Sequence, residues 1–213
     1  MARHTLYTQG LKRCFDATVA SLALLVFSPV FLVCYFISRS KIGHPVFFRQ
    51  ERPGLNAKPF MLIKFRTMAD TRGPDDHLLP DSQRLTPYGK FLRSTSLDEL
   101  PELWNILKGE MSLVGPRPLL MEYLPRYSAE QARRHELRPG LTGWAQINGR
   151  NDLSWPQKFA LDCWYADHVG FWLDLKIILH TIIKTIKREG INPANESVMP
   201  IFTGKEIDHG EGR

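Results

Sequence analysis

Two adjacent carboxylates, Asp98 and Glu99, stand in the segment RSTSLDELPELWN, directly after a run of hydroxyl residues. Ser96-Leu97-Asp98-Glu99 also has the spacing of a capping box, in which a serine and a glutamate satisfy the first amides of a helix. Pro101 bears on where that helix starts, because proline is tolerated only where the amide is free anyway. It places the start slightly later than the box implies, with Asp98 at a helix N-terminus where unpaired amides favour anions such as phosphate. Candidates for holding a pyrophosphate surround the pair in sequence: Lys64, Arg66, Arg93, Arg117 in GPRP, and Arg138 and Arg150 in RPGLTGWAQINGRN. An arginine fork matches phosphate oxygens in two-point contacts. Taken singly, each of these is more often a solvated surface cation. Arg117 is the most constrained, because Pro116 and Pro118 restrict the backbone on both sides of it.

Several familiar chemistries lose their main support. The chain has no G-x-x-x-x-G-K-[ST] or G-x-G-x-x-G loop for nucleotide phosphates, no H-E-x-x-H zinc motif and no G-x-S-x-G nucleophile elbow. Its seven histidines are scattered. Its three cysteines, Cys14, Cys34 and Cys163, are far apart and form no C-x-x-C pair, so neither a disulfide framework nor a zinc site is indicated. With 28 Lys and Arg against 22 Asp and Glu, the net charge of +6 suits a polyanionic partner without choosing among lipid, nucleotide and nucleic acid. A length of 213 residues fits one catalytic domain with an appendage.

These residues need elements to position them, and the first element is apolar. From Ala17 to Ile37 no charge occurs, over about the 20 residues a membrane helix needs. A buried core helix would not be oily all round, and FISRSKIGHP offers no signal-peptidase site. Pro29, after Ser28, removes a backbone donor mid-run and predicts a break. Basic residues flank both sides: Arg3, Lys12 and Arg13 before, Arg39 and Lys41 after. A helix-break-helix hairpin keeps both clusters in the cytoplasm, which a simple span cannot do; the alternative is a span kinked at Pro29, which membrane helices tolerate. The expected organisation is a re-entrant anchor over 1–40, a cytosolic catalytic domain over 41–188 and a polar tail over 189–213.

Within the catalytic domain, VFFRQERPGLNAKPFMLIKFRTM reads as a β-hairpin turning at Pro53-Gly54 and Asn56. ADTRGPDDHLLPDSQRLTP is a long loop that could lie over the site. Helical periodicity resumes at Leu97, Leu100, Leu103, Trp104 and Leu107, and again from Ser128 to Glu136. The last helix, FWLDLKIILHTIIKTIKR, has an apolar face and a stripe of Lys176, His180, Lys184 and Arg188. Either it packs on the core as a surface helix or it lies in the membrane interface. The tail is expected to be an extended strap or disordered.

In ordered succession, KRCFDATVASLALLVFSPV, the hairpin segment, LTPYGKFLRSTSLDELPELWNILKGEMSLVGPRPLL and RPGLTGWAQINGRN resemble the bacterial sugar transferase family, whose members are monotopic phosphoglycosyl transferases. The resemblance runs from about Lys12 to Arg188. The chain is most similar to the small, minimal members, which begin glycans for protein glycosylation. It implies an α+β fold with a re-entrant helix broken at Ser28-Pro29 and amphipathic interfacial helices. It implies that Asp98 is the nucleophile and that Asp98 and Glu99 work with Mg²⁺. Lys64, Arg93, Arg117 and Arg150 occupy motif positions for phosphate or nucleotide contact, and Asp174 matches a further family position. The implied partners are a UDP-sugar, expected to be an N-acetylated aminosugar, polyprenyl phosphate and membrane lipids, with no nucleic acid. The implied place is the cytosolic face of the bacterial inner membrane. The rival readings are a glycosyltransferase that releases UDP and a non-enzymatic basic module at the membrane surface.

Overall fold

The computed structural model describes residues 6–149, 153–187 and 201–204. Arg150 and Arg188, with most of the tail, therefore lie outside the described residues. The longest element is helix α1, Lys12–Lys41. At 1.5 Å per residue it extends about 45 Å, long and apolar enough to cross a membrane. Only 11% of its most apolar window is buried, which rules out the reading of α1 as an ordinary core helix.

The break expected at Ser28-Pro29 is not present: Pro29 lies inside the continuous helix. The local reason is visible in the hydrogen bonds. Proline has no N–H to offer the carbonyl four residues back, which is that of Leu25. The Ser28 hydroxyl donates to this Leu25 oxygen at 2.8 Å and satisfies it instead. The dipeptide thus carries its own repair, which matters where no water is available to a bare carbonyl.

The hairpin forms as its pattern predicts. Strands β1, Phe47–Pro53, and β2, Pro59–Phe65, pair antiparallel with Phe47 opposite Phe65 and Pro53 opposite Pro59. A single 3₁₀ turn over Leu55–Ala57 closes it, with Asn56 and Ala57 at positive φ. The following long segment is less open than its composition suggests. It contains the one-turn helix α2, Asp81–Arg84, and folds back through isolated bridges Met68–Leu85 and Arg72–Leu78. Helix α3, Pro87–Ser94, starts at Thr86, whose hydroxyl accepts from the Gly89 amide at 2.9 Å.

Helix α4 covers Glu102–Lys108 with Pro101 at its N-cap. Strand β3, Ser112–Val114, and strand β4, Gly140–Thr142, form a small parallel sheet that the sequence pattern does not reveal. Between them, α5, Ala129–Ala132, carries a Ser128–Gln131 capping box and continues as a 3₁₀ turn through Glu136. Helices α6, Trp144–Ile147, α7, Trp155–His168, and α8, Phe171–Lys187, complete the described order. Mixed helix and sheet agrees with the expected α+β class.

Both ends of α1 pack on the same body. Ala20, at the first end, shares a buried cluster with Leu62 of β2, Ile106 of α4, Tyr165 of α7 and Ile177 of α8. Arg13 donates to the carbonyls of Ile106 and Leu107, and the buried Asp16 accepts from Ser112 and Leu113. At the other end, Cys34 shares a second cluster with Val46, Phe65 and Leu92, and Tyr88 donates to the Cys34 carbonyl. Between these ends Leu22, Leu25, Val26, Phe27, Leu32 and Val33 stay exposed.

Helix α8 satisfies both of its readings in part. Leu173, Ile177 and Ile178 face the core, whereas Trp172, Leu179, Ile182 and Ile183 are exposed. The basic stripe is partly committed within the fold, since Lys184 donates to the Ile147 carbonyl and Lys176 lies over the Trp144 ring. The described part of the tail is docked rather than loose. Phe202 is buried among Tyr123, Tyr127, Trp155 and Phe159.

Gly89 shows how tightly α3 is seated. A Cβ there would lie 1.9 Å from the Thr67 carbonyl oxygen, and the same Thr67 receives the Arg93 side chain. Gly89→Ala must therefore push α3 off the hairpin. The expected loss is about 1–3 kcal/mol, read as a lower melting temperature of the purified protein in detergent; an unchanged melting temperature contradicts this packing.

Candidate active site

The Ser96–Glu99 capping box does not form. Ser96 sits in the left-handed region at φ 56° and its side chain caps nothing, while Leu97–Glu99 make a separate 3₁₀ turn ahead of α4. The reason is that the Glu99 carboxylate is used elsewhere. Its Oε1 receives Lys64 Nζ at 2.8 Å and Arg117 Nη2 at 2.7 Å. Lys64 arrives from β2 and Arg117 from the loop after β3, so one carboxylate oxygen joins three separate parts of the fold.

The Arg117 loop is fixed from behind. Gly140 donates to the Pro116 carbonyl and Gly115 to the Thr142 carbonyl. A Cβ on Gly140 would lie 2.0 Å from the Gly115 nitrogen, so this approach of β4 to the loop needs glycine. Arg134, itself buried against Asp162 of α7, donates to the Arg117 carbonyl at 2.7 Å. The two prolines and these three bonds together decide where the Arg117 side chain emerges.

Asp98 differs sharply from its neighbour. Half-buried on the same turn, it makes no hydrogen bond or ion pair with the described residues. Burial, and then the charge of Glu99, push its carboxyl above the usual range, against Lys64, Arg117 and Arg93. Burial would raise Glu99 too, but Arg117 and Lys64 outweigh it and hold Glu99 well below the usual range. Two adjacent acids thus have two environments, one ion-paired and one unpartnered in a cleft lined by cations.

The cleft has a volume of about 2490 Å³ and takes in Asp98, Glu99, Lys64, Arg93 and Arg117. Arg93, from α3, is oriented by Nε donating to Thr67 Oγ1 at 3.1 Å. Arg66 is a clip, since it donates to the carbonyls of Ile42 and His44 and pairs with Asp70 at the foot of α1. Arg138 likewise donates to the Gly109 carbonyl.

Asp174 does not join the cleft. It is fully buried and its oxygens are taken by Tyr7, Lys12 and Tyr165. The match to a family position is therefore met here by a buried clip between α8, α7 and the start of α1, not by substrate contact.

One acid was hidden in the helical pattern. Glu102, the first residue of α4, is buried and lies 2.9 Å from Lys64 Nζ through Oε1. Lys64 therefore bridges Glu99 and Glu102. No sequence signal separates Glu102 from an ordinary acid in a first helical turn. Among the described residues no three histidine, cysteine or carboxylate groups cluster as metal ligands. Two carboxylates beside a cleft lined by cations nonetheless suit Mg²⁺, which keeps several waters and shares substrate oxygens.

Burial, and secondly the charge of Glu99, push Glu102 up to about 7. Its folded pKa thus exceeds its ordinary 4.5, so its contribution to stability is intact below 4.5 and is lost as pH rises through about 7. Melting temperatures between pH 5 and 8 should fall in the native protein and fall less in Glu102→Gln. Parallel curves for the two proteins would refute the assignment.

The chain matches a known family over most of its length. The family described as Bacterial sugar transferase matches residues 7–188. The chain is 56% identical over 194 residues to an uncharacterized sugar transferase, EpsL, of Bacillus subtilis, covering 91% of this chain and 96% of that one. It is 40% identical to a UDP-glucose:undecaprenyl-phosphate glucose-1-phosphate transferase of Caulobacter vibrioides, covering 80% and 68%. A Klebsiella pneumoniae protein of the same description is 41% identical over 81% of this chain, which spans only 39% of that longer protein.

Proposed function

The chain belongs to the bacterial sugar transferase family, and we propose that it transfers a sugar 1-phosphate from a UDP-sugar to polyprenyl phosphate at the membrane surface. Relatives named for transfer of glucose 1-phosphate or galactose phosphate to undecaprenyl phosphate support the reaction class. The observation that carries the mechanism is the unpartnered Asp98 carboxylate beside an ion-paired Glu99, in a cleft lined by Lys64, Arg93 and Arg117.

In this reading an Asp98 oxygen bonds to the sugar-linked phosphorus. The bridging P–O bond to the second phosphate breaks, and its electron pair leaves with UMP. A polyprenyl phosphate oxygen then attacks the same phosphorus, and the Asp98 carboxylate departs. Splitting the transfer means that a soluble donor and a lipid acceptor need not occupy the site together. Arg117 and Lys64 offset the pyrophosphate charge that an approaching carboxylate meets, and Arg117 offers a planar fork for its oxygens. Mg²⁺, held by Asp98 and by the Glu99 oxygen left outside the ion pairs, would neutralise further charge on the phosphates. The relatives' names favour glucose or galactose as the sugar; the N-acetylated aminosugar expected from the sequence rests on the resemblance alone.

The anchor fits a membrane-bound acceptor. Both ends of α1 pack on one body while its middle is exposed and apolar, which supports an anchor whose two ends stay on the same side of the membrane although the helix is not interrupted. The catalytic body is then cytosolic, on the inner membrane of a bacterium, and α8 with Trp172 rests at the interface.

Full-length enzyme mixed with a panel of UDP-sugars and Mg²⁺, without acceptor, should release about one equivalent of UMP and gain one sugar phosphate in intact mass. Asp98→Asn should abolish both, because an amide is a poor nucleophile. Release of UDP, or wild-type turnover by Asp98→Asn, would show the mechanism to be wrong.

Topology has its own test. Two single-cysteine proteins, one keeping only the exposed Cys14 and one carrying only Lys41→Cys, should resist an impermeant maleimide in intact spheroplasts and react after lysis. Labelling of either from outside excludes the re-entrant reading.

A further inference from the structure

Opposed residues of an antiparallel pair share a face of the ribbon. The register therefore puts Gln50 and Arg52 on the same face as Lys64, along the row formed by Phe48–Lys64, Gln50–Leu62 and Arg52–Phe60. Gln50 and Arg52 both line the cleft that holds Asp98. This part of the hairpin lies next to the turn and reads from sequence as turn context only.

Arg52 lacks the carboxylate partner that several other cations of that cleft have. Lys64 and Arg117 have Glu99, Arg66 has Asp70, and Arg84 has Asp81. Among the described residues Arg52 pairs with no carboxylate, and its side chain donates to Gln50 Oε1 alone, from Nη2 at 2.6 Å. Its Nε is buried without an acceptor. Burial and the neighbouring Arg117 charge both act against its positive charge, with Glu102 acting for it. A guanidinium does not shed its proton in a protein, and a desolvated charge is costly unless paired. The second cation beside Arg117 is therefore short of one anion.

We propose that Arg52 is a phosphate-binding residue of this site and that, with Arg117, it holds the nucleotide phosphate that departs on transfer. The inference rests on the reaction proposed above. Its direction comes from place. The turn end of the hairpin, Pro53 and Gly54 beside Arg52, shares a small cavity with Pro116, Arg117 and Pro118, whereas Arg93 comes from α3. The phosphorus under attack lies at Asp98, and the departing phosphate is one bridging oxygen away from it. A fork at that phosphate meets negative charge that grows as the bridging bond breaks, where a fixed donor is most effective. Gln50 holds the fork in place.

The acceptor also presents a phosphate, so the test separates the two sources. Full-length enzyme in detergent is titrated with UMP by calorimetry, which needs no turnover, and the KM for polyprenyl phosphate is measured separately. Arg52→Gln should weaken UMP binding roughly tenfold or more, with the acceptor KM unchanged. Arg52→Lys, which keeps the charge but not the fork, should recover only part of the affinity. Unchanged UMP affinity in both variants overturns the proposal. So does a raised acceptor KM with intact UMP affinity, which would assign Arg52 to the acceptor's phosphate. Melting temperatures accompany each variant; if Arg52→Gln does not fold, Arg52→Lys decides, and native UMP affinity in it refutes the role. Should the native enzyme release UDP, the proposed reaction fails, whereas the UMP titration still reports on Arg52.

Discussion

One carboxylate oxygen, Glu99 Oε1, meets both Lys64 from the hairpin and Arg117 from the loop behind β3. Those cations come from opposite ends of a chain segment and have no other reason to converge. Their like charges would repel if the carboxylate between them were neutral, and Lys64 would keep Glu102 alone as its partner. The same bond draws Glu99 away from capping a helix, which explains the separate 3₁₀ turn. It also leaves Asp98 as the neighbouring acid without a partner among the described residues. The unpaired state of Asp98 among the described residues and the order at Glu99 are therefore two results of a single geometric choice.

Around that cluster the fold supplies rigidity in proportion to function. The Arg117 loop is gripped by prolines, by glycine-dependent approach of β4, and by the buried Arg134–Asp162 pair. Arg93 is oriented through Thr67, against which Gly89 seats α3. Such groups stay ordered before any ligand arrives, and donors held in advance lose little freedom when an anion binds. The hairpin has a double duty: its even-numbered face carries Lys64 toward the cleft, and Phe47 and Phe65 on the other face pack against Phe31 and Tyr35 of α1. The cleft is thereby tied to the apolar helix α1 through one two-stranded ribbon.

Much of this was legible in the sequence wherever a local rule sufficed. Turn residues and alternation placed the hairpin, periodicity placed α4 and α8, and the charge-free run placed α1. The acid pair and Lys64, Arg93 and Arg117 were named from residue type and motif, and all five line one cleft. What escaped was non-local. The parallel pairing of β3 with β4 joins two three-residue strands far apart in the chain, too short for any pattern. The partners of Asp174 lie at Tyr7 and Lys12, and no spacing rule connects them. Glu102 and Arg52 looked like a helix acid and a turn cation, because burial is decided by packing that the sequence does not display. At Pro29 a general rule for proline was overridden by the hydroxyl of the preceding serine.

The Asp174 clip ties the order of assembly to place. Its carboxylate is sealed in the interior and is satisfied by groups that lie just before and at the start of the apolar helix. Asp16, within that helix, completes the buried end of β3 in the same way. The anchor is thus a structural layer of the catalytic body and not a tether attached to it. Cutting it away would open the interior and strand a carboxylate there, so a soluble fragment would be a damaged molecule. During synthesis α1 emerges before the parts that must close upon it. The body then matures only where that segment already resides, at the lipid surface where the proposed acceptor would sit.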